Sequence, residues 1–200
     1  MKYNKWSGNH PIVSIGDIHG DYNSLVKCLQ FTNTIDHQLN WIASNTILVL
    51  LGDILDNYRP EIGCKVEDSK GEIKSLFLCK DLKEQAQKQK GDVILVLGNH
   101  EIMNIIGIFT YISDETLDES KKLIENRMDI TLNEDSIIAR KEIFKPGNKF
   151  YNEIIIPLFQ PYVLIGDILF IHAGIVLKLA NKLKNLEEIA EVTNRFLYNP

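Results

Sequence analysis

Three short apolar runs, each closed by a glycine and then an acid or an amide, constrain this chain more than any other feature. They are Pro11–Ile15 before Gly16-Asp17, Thr46–Leu51 before Gly52-Asp53, and Asp92–Leu97 before Gly98-Asn99. Each is too short for a helix and rich in β-branched residues, the pattern of strands buried on both faces beneath helices. The segments between them have helical character. Tyr22–Phe31 follows Asp21, a suitable N-cap, and sets Leu25, Val26 and Leu29 on one face. Lys74–Lys90 places Leu76, Cys79, Leu82 and Ala86 at helical spacing. The resulting β-α-β-α-β order predicts a layered α/β fold with parallel strands.

Further along, Tyr162–Ile165 and Ile168–Ile171 flank Gly166-Asp167, a glycine-first pair suited to a two-residue hairpin. Asp167 is therefore read as a turn residue, although it shares the Gly-Asp dipeptide of the strand ends. Ser113–Lys149 is polar, partly helical and broken by Pro146-Gly147, which predicts an inserted subdomain or lid at about 113–149. The length of 200 residues fits one domain spanning 1–200, and an apolar content of 44% suffices for one core.

Charge and cysteine content narrow the function classes. A net charge of −5 without a Lys/Arg stripe offers no footprint for nucleic acid. The three cysteines, Cys28, Cys64 and Cys79, form no CxxC pair, which fits reduced thiols rather than a disulfide framework or a thiolate zinc site. Met1–Trp6 is polar and lacks the apolar run of a signal peptide. The most apolar stretch, Ile154–Leu177, is interrupted by Pro157, Gln160, Pro161, Asp167 and His172, so it makes a poor membrane span. These features lead to the expectation of a cytoplasmic protein that engages neither membrane nor nucleic acid. Nothing in the sequence specifies an oligomeric state.

The polar residues fall where chemistry is expected. Asp17, His19, Asp53, Asn99 and His100 all follow directly on apolar strands, and open α/β sheets gather ligands at the carboxyl ends of their strands. Carboxylates with imidazoles suit Zn, Fe or Mn better than Mg alone. One such residue is weak evidence, since a Gly-Asp pair is common in turns and a lone histidine is more often structural. Three strand ends supplying them in this order make a strong combination.

The series Gly16-Asp17-Ile18-His19-Gly20, Gly52-Asp53-Ile54-Leu55-Asp56, Gly98-Asn99-His100-Glu101 and His172-Ala173-Gly174 resembles the calcineurin-like metallophosphoesterases. Within them it is most similar to the phosphoprotein phosphatase branch, and there to the Shewanella-like phosphatases. Gly98–Gly107, Phe144–Asn148 and the long gap before the last motif carry that finer likeness. The resemblance spans about residues 11 to 176. It implies a metallophosphatase-type β-sandwich flanked by helices. It also implies two metal ions, divalent or trivalent, with Asp17 and His19 on the first, Asp53 bridging both, and Asn99 and His172 on the second. Asn99 would also touch the substrate phosphate. His100 would be the proton donor to the leaving oxygen, with Asp56 orienting it.

Two departures from the family pattern stand out. The second motif usually continues Asp-Arg-Gly, with the arginine clamping phosphate; here Asp56 is followed by Asn57 and Tyr58, leaving Arg59 as the candidate phosphate ligand. The family also supplies a later metal-binding histidine. The five histidines here are His10, His19, His37, His100 and His172, so none follows the last motif, and the expectation is a domain incomplete at its C-terminus. His10 and His37 are read as surface residues. The expected activity is phosphomonoester hydrolysis on a phosphoprotein, at Ser, Thr or Tyr, or on a small phosphate ester. The alternatives are a dinucleoside polyphosphate hydrolase and a catalytically impaired metal-binding interaction protein.

Overall fold

The structure is a computed structural model and describes residues 5–58 and 70–198. The first two predicted strands form as β2 (Ile12–Ile15) and β3 (Ile47–Leu50), after a short β1 (Lys5–Trp6) that the polar N-terminus did not suggest. The third forms as β4 (Asp92–Val96). Together with β5 (Phe159–Gln160) they make a four-stranded parallel sheet in the order β2-β3-β4-β5. β6 (Val163–Ile165) and β7 (Ile168–Phe170) pair as the predicted hairpin around Gly166-Asp167, with Gly166 at φ +58. β1 joins β6 in parallel, completing a second sheet of three strands.

The alternation of side chains along a strand sends each sheet face to a different partner. Leu48 and Leu50 of β3 and Val93 and Leu95 of β4 belong to the large core shared with the helices. Ile47, Val49, Ile94 and Val96 turn the other way and pack against Val163 and Ile165 of the second sheet. The fold is thus a layered α/β sandwich. All eight of these β3 and β4 side chains are fully buried. Each such aliphatic group contributes roughly 1.5–3 kcal/mol, so both faces of the central strands are committed to the core and only their ends remain for chemistry.

α1 (Tyr22–Phe31) is capped by Asp21, whose carboxylate accepts from Ser24 N–H at 2.8 Å, as the sequence predicts. α2 (Glu72–Lys88) starts and ends two residues earlier than its apolar periodicity suggested, because Gly71 serves as the N-cap. α3 (Asn99–Ile105) begins directly after β4. The segment 113–149 holds α4 (Asp114–Met128) and α5 (Ser136–Ile143), whose Leu117, Ile124, Met128, Ala139 and Ile143 are buried. A π-helical turn at Tyr151–Ile155 leads through α6 (Ile156–Leu158) to β5. After β7 come α7 (Leu177–Ala180) and α8 (Glu187–Tyr198), the latter tied down by the Tyr151 hydroxyl donating to Leu197 O at 2.7 Å. Among the described residues no helix is long and apolar enough to cross a membrane.

Candidate active site

The loops leaving β2 and β3 are joined by backbone hydrogen bonds: Ile18 and His19 N–H donate to Asp53 O at 3.0 and 2.9 Å, and Gly20 N–H donates to Ile54 O. This join places three non-glycine residues in the left-handed region, His19 (φ +47), Asp53 (φ +50) and Asp56 (φ +66). Such backbone is uncommon outside glycine and is retained where surrounding contacts over-determine it. At Asp53 that contact is Glu101. Its fully buried carboxylate accepts from the N–H groups of Asp53, Ile54 and Leu55 in one loop and of Gly98 in the other, at 2.9–3.2 Å. Burial, then the neighbouring Asp53 carboxylate, push the Glu101 carboxyl up to about 7, and the N–H donors oppose that rise.

Glu101→Gln keeps one acceptor oxygen and turns an amide NH₂ toward N–H groups that need an acceptor. Leaving a buried donor unsatisfied costs about 1–3 kcal/mol. Urea denaturation is expected to show a loss of that order or somewhat more, and a midpoint unchanged from wild type would contradict this role.

Gly98 sits where the strand-end loops meet most closely. A Cβ built there would lie 2.1 Å from Asp53 Oδ1 and 2.5 Å from Asp53 N, inside any permitted contact. Gly98→Ala is therefore expected to displace Asp53, and metal binding measured by calorimetry should weaken at least tenfold, in line with the roughly 10–100-fold losses on disturbing support around a metal site.

With the loops so fixed, the predicted residues converge. His19 Nε2 lies 3.9 Å from both Asp17 Oδ2 and Asp53 Oδ2. His172 Nε2 lies 3.4 Å from Asp53 Oδ2 and 3.1 Å from Asn99 Oδ1, and its Nδ1 is 4.0 Å from Asp17 Oδ1. The orientation of the two rings is informative. His172 Nδ1 is 2.7 Å from Leu51 O, and His19 Nδ1 is 3.1–3.2 Å from the carbonyls of Asp56 and Leu55. A carbonyl beside Nδ1 fixes the proton there and leaves Nε2 as a lone-pair donor, the usual arrangement of a metal-binding histidine.

The separations suit shared ions. Two donors each about 2.1 Å from one cation lie at most about 4.2 Å apart. His19 with Asp17 at 3.9 Å, and His172 with Asn99 at 3.1 Å, fall inside that limit, and the Asp53 carboxylate stands 3.9 and 3.4 Å from the two rings, among the donors of both pairs. Carboxylate oxygen, imidazole nitrogen and an amide oxygen are a donor set that fits borderline transition ions.

His100 is buried and its Nδ1 lies 2.8 Å from Asp56 Oδ2; its backbone N–H donates to Asp53 Oδ1 at 3.0 Å. The ring meets those of His19 and Tyr111 edge-on at 4.9 and 5.1 Å between centroids. Asp56 itself is fully buried. Its Oδ1 accepts from Asn104 Nδ2 at 2.9 Å, and its backbone N–H donates to Glu72 Oε2 at 2.9 Å. Arg140 of α5 reaches the same cluster, donating through Nε to Asn104 Oδ1 at 2.9 Å and through Nη1 to Glu72 Oε1.

Glu72, Asn104 and Arg140 were not singled out from the sequence. Asn104 carries a signal, standing four residues after His100 on one helix face, and Glu101 carries one as an acid three residues after the N-cap glycine. Arg140 carries none, because α5 reaches the site only through the tertiary fold. Arg59, the candidate phosphate ligand, lies outside the described residues, as does Cys64. Asn57, in the position of the family arginine, is buried, with its Oδ1 3.5 Å from Ser113 N–H. His37 is exposed as expected. His10 is partly buried instead, because its ring bonds to Asn45 O at 2.7 Å and packs edge-on to Trp6.

The chain resembles known proteins in both sequence and fold. The sequence matches the family described as calcineurin-like phosphoesterase over residues 10–198. It is 30% identical to Shewanella-like protein phosphatase 1 of Plasmodium berghei over 171 residues, covering 86% of this chain and 40% of that protein. It is 33% identical to Shewanella-like protein phosphatase 2 of Arabidopsis thaliana over 108 residues, covering 54% of this chain and 25% of that one. The crystal structure of a cold-active protein-tyrosine phosphatase from a psychrophilic Shewanella species superposes with a TM-score of 0.69 at 22% identity. That superposition covers 100% of this chain and 52% of the other. The chain therefore spans about half or less of the length of these relatives.

Proposed function

Because this chain belongs to the calcineurin-like phosphoesterase family, we propose that its strand-end cluster is the two-metal centre of a phosphomonoesterase acting on phosphoproteins. The observation that carries this reading is the orientation of His19 and His172, each with Nδ1 against a backbone carbonyl and Nε2 aimed at the Asp53 carboxylate. Asp17 and His19 would hold one ion, Asn99 and His172 the other, and Asp53 would bridge them. Mn, Fe and Zn all suit these donors. When bound, the two ions would supply positive charge to the transferring phosphoryl group and acidify a water for in-line attack on phosphorus.

The remaining work falls to the chain itself. Asn99 stands at the N-terminus of α3, where its amide can donate to a phosphate oxygen as well as offer its carbonyl oxygen to an ion. His100 donates a proton from Nε2 to the departing alkoxide or phenoxide. Asp56, on Nδ1, stabilises the imidazolium and fixes the ring so that the proton points into the cluster. His100 is protonated from solvent before the next turnover.

The names of the relatives support a phosphoprotein substrate, and the net charge of −5 favours a substrate other than nucleic acid. The test is to compare kcat/KM for phosphotyrosine and phosphoserine peptides with that for a dinucleoside polyphosphate, in the presence of Mn²⁺. Higher values for the peptides are expected. A preference for the dinucleotide would replace this substrate with the alternative, and two tightly bound ions without turnover of either would indicate a metal-binding interaction protein.

A further inference from the structure

We propose that Arg140 is a positioning residue for the His100–Asp56 proton donor, linking the polar segment 113–149 to the reaction centre; this rests on the donor role assigned to His100 above. All three guanidinium nitrogens end on Asp56 or on a group that holds it. Nε–H donates to Asn104 Oδ1 at 2.9 Å. That bond fixes the amide orientation, so Nδ2 must face Asp56 Oδ1, which it reaches at 2.9 Å while also bonding His100 O at 2.9 Å. Nη1 donates to Glu72 Oε1, whose carboxylate takes the Asp56 backbone N–H on its other oxygen and the Ser120 hydroxyl at 3.3 Å. Nη2 stands 3.8 Å from Asp56 Oδ1 and has no hydrogen-bond partner in its buried position.

This convergence is specific to a planar fork. Arginine presents five donors in fixed geometry, whereas an ammonium is a point charge on a flexible stem. Asp56 and Glu72 are two fully buried carboxylates, and the Arg140 cation is the counter-charge beside both. Its plane is set by the Phe144 ring, with the guanidinium carbon 4.9 Å from the centroid. Asp56 has left-handed backbone, so the Glu72 clamp on its N–H and the Asn104 clamp on its carboxylate together decide where its Oδ2, and hence the His100 ring, can lie. Arg140 holds both clamps.

A proton donor matters in proportion to how badly the leaving group needs a proton. The experiment compares phenyl phosphate, a poor leaving group, with 2,4-dinitrophenyl phosphate, a good one, for wild type, Arg140→Lys, Asn104→Leu and His100→Asn, alongside thermal midpoints. Arg140→Lys retains the charge against Glu72 and is expected to keep most of the thermal stability. It cannot make the Nε donation to Asn104, so its loss on phenyl phosphate should exceed its loss on the dinitrophenyl ester by about tenfold, the scale on which support around a site acts. Asn104→Leu, which removes no charge, should shift the same ratio in the same direction.

Equal losses on both substrates, or recovery of the ratio by lysine along with stability, would reduce Arg140 to a structural ion pair and overturn the proposal. His100→Asn separates this failure from that of the underlying reading. If His100→Asn shifts the ratio and the Arg140 and Asn104 variants do not, only the positioning role fails. If His100→Asn leaves the ratio unmoved, the donor assignment fails and the positioning role fails with it.

Discussion

His100→Asn is expected to lower kcat toward phenyl phosphate by about 10²- to 10⁴-fold, the range over which a positioned general acid acts. The ring is buried, and with Nδ1 committed to the Asp56 carboxylate at 2.8 Å it presents Nε2 to the cluster. Asparagine retains a side chain that Asp56 can hold, and the backbone N–H that donates to Asp53 Oδ1 is unaffected. Metal content should therefore stay at the wild-type value while turnover falls. A loss confined to KM, or a loss of metal in parallel with rate, would assign His100 to substrate binding or to the metal set instead.

Asp53→Asn should have a larger effect, because one side chain serves both donor pairs. Its Oδ2 lies 3.4 Å from His172 Nε2 and 3.9 Å from His19 Nε2, and its Oδ1 takes the His100 backbone N–H. Asparagine tolerates the left-handed backbone that Asp53 adopts at φ +50, so the loop itself is spared. What is lost is the shared negative charge, replaced on one atom by an NH₂ that cannot bind an ion. Metal ions contribute several kcal/mol to charge stabilisation in such reactions, and each 1.36 kcal/mol is tenfold in rate, so a loss of about a thousandfold or more is expected. Elemental analysis of the purified variant should find less than one ion per chain. Two retained ions with full activity would exclude Asp53 as the bridge.

The parts of the site that were legible in the sequence share one physical signature. Asp17, Asp53 and Asn99 follow a glycine that closes a β-branched run, and an abrupt change from apolar to polar at a strand end marks the place where a buried sheet reaches solvent. The same signature located β2, β3 and β4 to within a residue or two. His172 follows its own strand as closely, but Ile171 rather than a glycine precedes it, and its partners at Leu51 and Asn99 are remote in sequence, so the family resemblance was needed to find it. β1 and β5 are two residues each, too short for any periodicity to register.

Support for the site was less legible than the site itself. Glu101 and Asn104 lie within α3 at spacings that helix geometry makes meaningful, so a local reading could have reached them. Glu72 and Arg140 come from α2 and α5 and meet Asp56 only because the helical layer packs as it does. Read as sequence, Arg140 is one cation in a polar segment; in the fold it is buried against two carboxylates. Burial of a charge is a tertiary property, and no local pattern encodes it.

The most direct test of a two-metal centre is a titration of chelator-stripped protein with Mn²⁺, followed by calorimetry and by hydrolysis of 4-nitrophenyl phosphate in the same samples. Two ions bound per chain are expected, with turnover rising as the second site fills and lost again on chelation. Folded protein that binds no more than one ion, or that binds two and hydrolyses the ester no faster than buffer with Mn²⁺, Fe²⁺ or Zn²⁺, would contradict the assignment of this cluster as a phosphoesterase centre.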